Sequence, residues 1–203
     1  MQALTICRQS SRAFVVLSIS YFGLFTLGFN VATCFPQVHK AITRDVKQEL
    51  SEGTLSHVRR AFASASIPKA ILLIFTLNLI LGALAFITLP SLLVPFAGVL
   101  TGSVRALVWG ISIPLSVISA RGVPAFLLVL ILVVLEGGAY VVAMLASFVH
   151  GRAVIFPASV GATTRCKAYK IGLAITGHLY VVVALLLAIA AIYEVLLWRA
   201  IYR

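Results

Sequence analysis

The chain has 203 residues, of which 62% are hydrophobic and only 10% charged, and its mean hydropathy is +1.12. A water-soluble domain is about 45–50% apolar and ~25% charged, so this composition excludes a soluble globular fold: the charges are too few to cover its surface. The net charge of +11 (16 Lys and Arg against 5 Asp and Glu) would suggest nucleic acid in a soluble protein, but here the bases lie between apolar runs. There they anchor helix ends to phosphate headgroups, and no nucleic-acid partner is expected.

A helix needs ~20 mostly apolar residues to cross the hydrocarbon core, and five stretches meet that length. The first, 14–35, follows Arg8 and Arg12 and stops at Pro36. It is too long for a signal-peptide core and ends in no clear small-x-small cleavage site, so it reads as a retained anchor. The second, 70–89, is entered from Pro68 and Lys69 and closed by Pro90; the third, 95–118, contains Arg105 and Pro114. The fourth, 124–149, is the most apolar and holds Glu136, and the fifth, 171–198, has Glu194 near its end. The apolar connection 89–95 is either a tight turn at the interface or a re-entrant segment.

Two stretches lie outside the bilayer. Within 37–66, Val38, Ile42, Val46 and Leu50 recur at four-residue spacing among charged residues. A break falls at Gly53 and Thr54, and Leu55, Val58 and Phe62 form a second stripe beside Arg59 and Arg60. This predicts two short amphipathic helices, either lying in the headgroup plane or packed as an ordinary loop. The other stretch, 150–170, carries Arg152, Arg165, Lys167 and Lys170. Five spans put the two termini on opposite faces. Six bases (Arg8, Arg12, Arg152, Arg165, Lys167, Lys170) then share the N-terminal side against nine on the other, a weak preference for an N-terminus outside.

Ionisable residues inside a span are expensive, about 2.5–3.5 kcal/mol for a central Asp, Lys or Arg on insertion scales, which singles out Arg105, Glu136 and Glu194. Spacings of three and four place Gly98, Gly102, Arg105, Trp109, Ser112 and Ser116 on one face of the third span. Asn78, Gly82 and Ala85 do the same in the second, and Glu136, Ala139 and Ala143 in the fourth, with Gly137 and Gly138 alongside. Ala184, Ala188 and Ala191 form a seam towards Glu194. Small residues let backbones approach, and polar side chains then bond between helices. Because 118–124 joins the third and fourth spans, Arg105 and Glu136 are expected at similar depth in an antiparallel pair, with Asn78 adding a hydrogen bond. Such a network either only fixes the bundle, or lines an ion path or a docking groove. No row of Asp, Glu or His marks a conduction relay. His178 reads as an interfacial hydrogen-bonding histidine, and Tyr180, Tyr193 and Trp198 fit an aromatic belt.

No H-E-x-x-H, G-x-S-x-G or phosphate-binding glycine loop is present, and Cys7, Cys34 and Cys166 are too scattered for a disulfide framework or a zinc site. No catalytic residue, cofactor or metal is therefore expected. The order of the polar landmarks resembles the stage II sporulation protein M family. That family's pattern is an Asn in the second span, N-G-x-x-x-G opening the third, H-G-x-x-E in the fourth and a final A-x-x-E. This chain has Asn78, then Ala97 to Gly102, then Glu136-Gly137-Gly138-Ala139, and finally Ala191 to Glu194, over roughly 14–198. Ala97 and Leu132 replace the pattern's second Asn and its His, so the roles of those two do not carry over.

The resemblance implies a membrane scaffold working with peptidoglycan-degrading partners, with its N-terminus inside. The sequence thus predicts an all-α polytopic membrane helix bundle of about five transmembrane helices, a single domain over 1–203 in the cytoplasmic membrane. Its expected function is a non-enzymatic scaffold that docks membrane or envelope proteins, with the lipid bilayer as its other partner. Its small-residue faces also allow a homo-oligomer. The alternative is a transporter or channel component with Glu136 and Arg105 in its path.

Overall fold

The computed structural model describes residues 10–51, 66–113 and 115–202. These residues form helices joined by turns, with no strand among them. Helix α1 is Ser11–Cys34 and α2 is Pro36–Ser51. Helix α3 runs Ile67–Leu93 without a gap, α4 is Ala97–Ser112, α5 is Leu115–Ile155 and α6 is Arg165–Tyr202. Four stretches are long and apolar enough to cross a membrane: α1, α3, Gly122–Ile155 of α5, and Arg165–Ala200 of α6. With large apolar side chains such as Val16, Ile19, Leu72, Val181 and Leu185 facing outward, this is a membrane protein.

The third predicted span requires correction. In place of a helix over 95–118, α4 has 16 residues, shorter than the ~20 of a full span. Its end coincides with Pro114: Ile113 turns to an extended ψ of 133°, the conformation favoured ahead of a proline. The chain re-enters helix at Leu115, but Gly122 breaks it at φ 72, ψ −161, a conformation open only to glycine. The long central helix therefore starts at Gly122.

Helix α3 also departs from expectation. It passes through Pro90 to Leu93, so most of the 89–95 connection is helix, and the tight turn falls at 94–96, where the Ala97 amide bonds the Val94 carbonyl at 3.0 Å. Over Leu77–Thr88 the turns are wide, of the i→i+5 kind, and the Leu89 amide bonds the Leu84 carbonyl. A regular helix would press the Pro90 ring on the carbonyl four residues back; a wide turn just ahead of it relieves that clash. The buried positions here are Gly82, Ala83, Ile87 and Thr88, a repeat of five. The expected face of Asn78, Gly82 and Ala85 assumed a period of 3.6, so Ala85 turns outward.

The helix directions follow from contacts. Helices α1 and α4 run parallel: Ala13, Val16 and Leu17 share a cavity with Val99 and Ser103 near their starts, and further along Gly28 meets Leu107 and Ile111 while Gly110 meets Phe25 and Phe29. Helices α5 and α6 are antiparallel, tied by Tyr193 Oη donating to the Leu128 carbonyl at 2.9 Å near one end and by the His150–Tyr169 ring contact at 4.7 Å near the other. Helix α3 is antiparallel to α6: Ala70 and Ile74 pack on Ala191 and Val195, and Thr88 bonds Tyr180 at 2.5 Å. Helix α5 is the core of the bundle, buried without interruption from Ala139 to Ser147. The seam of α6 is shifted by a residue or so from the predicted one: Val183, Leu187, Ala190 and Ala191 are buried, whereas Ala184 and Ala188 are half-buried.

Helix α2 accounts for the first half of the predicted 37–66 stretch; the second stripe and the Gly53 break fall outside the described residues. Helix α2 is seated on α4 through His39, whose Nδ1–H donates to the Ile111 carbonyl at 2.7 Å. That carbonyl sits in the last turn of α4, where helix carbonyls lack partners of their own.

Candidate functional site

Two helices bring a polar cluster together inside the bundle. Arg105 is on α4, Glu136 on α5, and Tyr140 one turn further along α5, on the same face as Glu136. Arg105 Nη2 donates to Tyr140 Oη at 2.6 Å, and Tyr140 Oη donates to Glu136 Oε1 at 2.9 Å. The direct Arg105–Glu136 approach is 3.6 Å. The guanidinium carbon also lies 4.1 Å from the Tyr140 ring centre, a cation–π contact of the stronger, desolvated kind.

Helix α3 contributes space. A methyl group at Gly82 would lie 2.7 Å from Tyr140 Oη and 3.2 Å from Arg105 Nη2, so only glycine leaves room for the pair. Aromatic rings close the other sides: Trp109 meets Tyr140 edge-on at 6.4 Å, and Tyr21 of α1 lies 6.5 Å away. Glu136 is 6% exposed, whereas the Arg105 side chain is 27% exposed. Arg105 reaches an outward cavity of about 240 Å³ lined also by Phe86, Val108 and Trp109. Glu136 lines neither this cavity nor two others of about 680 and 210 Å³. Two buried polar groups there, Arg105 Nε and Tyr21 Oη, have no hydrogen-bond partner among the described residues.

The structure thus brings Arg105 and Glu136 together and leaves the other two predicted members apart. Asn78 is half-buried and, among the described residues, bonds neither. Glu194 accepts from Trp198 Nε1 at 3.3 Å, one turn along its own helix. Tyr140, the bridge, was missed by sequence reading. Its signal was available: a hydroxyl in mid-span, four residues after a carboxylate, has to find a partner in hydrocarbon.

Of the predicted packing residues, Gly98 approaches the Ile87 carbonyl, and its own amide bonds the buried Ser91 hydroxyl at 2.6 Å. Gly102 seats Met144, Gly137 seats Phe22 and Tyr21, and Ala139 is fully buried. Gly138 is a correction: a methyl group there would meet nothing within 4 Å, because it turns off the packed face of α5. His178 bonds the Ala174 carbonyl within its own helix at 2.7 Å. No grouping of three or more His, Cys, Asp or Glu able to hold a metal occurs among the described residues.

The site and fold define an all-α membrane bundle with an interhelical ion pair whose carboxylate partner, Glu136, is buried. No family model matches this chain, and neither the curated proteins nor the solved structures contain a match to it.

Proposed function

We propose that the protein is a non-enzymatic membrane scaffold, a multi-pass protein of the cytoplasmic membrane that holds partner proteins in the plane of the bilayer. The observation that carries this reading is the environment of Glu136. Glu136 is 6% exposed, its carboxylate accepts from Tyr140, and it lines none of the cavities described above. A transport path needs water or a chain of titratable groups leading to its carboxylate. A scaffold needs a rigid, dry core and apolar outer faces.

Five crossings follow if α4, buttressed on α1 and α5, spans with the other four. The resemblance to the stage II sporulation protein M family makes peptidoglycan-cutting enzymes the partner class to test. The test is paired. Proteoliposomes under a proton or sodium gradient should show no flux above protein-free vesicles. Deleting the protein should release a peptidoglycan-cutting enzyme from its membrane location. A flux abolished by Glu136→Gln would overturn the scaffold reading in favour of a transporter.

A further inference from the structure

A cavity of about 680 Å³ opens where α1 and α4 begin and α5 ends. That volume falls within the roughly 300–1,000 Å³ of small-molecule sites. Arg12 and Arg152 both line it. Both are exposed, and neither side chain has an ion pair or hydrogen bond among the described residues. None of the lining residues is acidic. Val16, Leu17, Val99 and Phe148 supply apolar wall, and serines, Ser20 and Ser103 among them, supply the remaining polar groups.

We infer that this cleft binds an anionic phospholipid, its headgroup phosphate held between Arg12 and Arg152 and an acyl chain lying along Val16, Leu17, Val99 and Phe148. The inference is independent of the scaffold reading. Two guanidiniums at one mouth match the planar, doubly accepting geometry of a phosphate. A zwitterionic lipid would bring an ammonium into a site that already carries two uncompensated positive charges. A free anion would make no use of the apolar walls. Basic pockets between membrane helices are a recurrent way of holding such headgroups.

The test is native mass spectrometry of the detergent-purified protein titrated with phosphatidylglycerol and, separately, phosphatidylcholine. Phosphatidylglycerol should bind the tighter, and Arg12→Gln with Arg152→Gln should weaken it by roughly tenfold or more. Arg12→Lys with Arg152→Lys should retain part of the affinity. The control is Arg165→Gln with Lys167→Gln, which removes the same charge from the same end of the bundle but outside the cleft, and it should change little. Equal binding of the two lipids, or equal loss in the control, would overturn the proposal. So would competition by millimolar inorganic phosphate as effective as that by phosphatidylglycerol, because it would leave the apolar walls no role. Size-exclusion profiles matching the wild type establish that the variants are folded.

Discussion

Arg105 and Glu136 are joined less by their direct 3.6 Å approach than by the Tyr140 hydroxyl, which accepts from one at 2.6 Å and donates to the other at 2.9 Å. A hydroxyl both donates and accepts, so a single atom satisfies part of each charge and locks α4 to α5. An ion pair of this kind is weak evidence for net stability, but breaking it by removing one partner is expensive.

That asymmetry gives the first prediction. Glu136→Leu and Arg105→Leu should each lower stability in detergent by about 3–5 kcal/mol, since each strands its partner. The double variant should lose less than the sum of the two. A double-mutant cycle from thermal or denaturant unfolding reads the coupling directly, and simple additivity would mean that the two side chains do not interact.

Tyr140→Phe keeps the ring that packs on Trp109 and the guanidinium but deletes the bridge. Hydrogen bonds to charged groups are worth about 1.5–3 kcal/mol, so a loss in that range is expected. A loss near zero would assign the clamp to the direct ion pair.

The glycines separate into two kinds, and alanine substitution should distinguish them. Gly110→Ala sets a methyl group against the Phe25 carbonyl and 2.9 Å from the Phe29 amide nitrogen, contacts with backbone that cannot swing away. A destabilisation of about 1–3 kcal/mol is expected from such overpacking. Gly138→Ala has open space and should be neutral, or stabilising by up to about 1 kcal/mol from helix propensity.

Helix directions predict topology. With α1 parallel to α4 and α6 antiparallel to α5, the described N- and C-terminal helix ends lie at opposite ends of the bundle. Reporter fusions at residue 1 and residue 203 should therefore signal from opposite compartments. Signals from one compartment would mean that α4 does not cross.

What the sequence revealed and what it hid divide along physical lines. Four of the five spans located by hydropathy are long helices, because lipid imposes a length and a composition on a span. Charge economy singled out Arg105 and Glu136, because a lone charge in hydrocarbon is expensive at any register. The faces of helices were less legible. The wide turns of α3 altered the period on which the face of Asn78, Gly82 and Ala85 rested, and no propensity signals such turns. The C-terminal end of α4 is hidden because hydropathy runs on through Pro114, whereas the backbone turns extended at Ile113 and ends the helix. The close approach of α1 and α4 at Gly28 and Gly110 needed the pairing of two distant segments, and either glycine alone is ordinary.

The central claim is that the carboxylate of Glu136 sits in a dry, packed core. Cysteine accessibility tests it most directly, at Ala139, a fully buried small residue beside the cluster. In a background with Cys7, Cys34 and Cys166 replaced by serine, Ala139→Cys should resist a membrane-impermeant thiol reagent applied from either face. An exposed control, Gly161→Cys in the loop between α5 and α6, should react from one face. Labelling of Ala139→Cys in the folded, membrane-embedded protein would contradict the account, because it would place water within reach of Glu136.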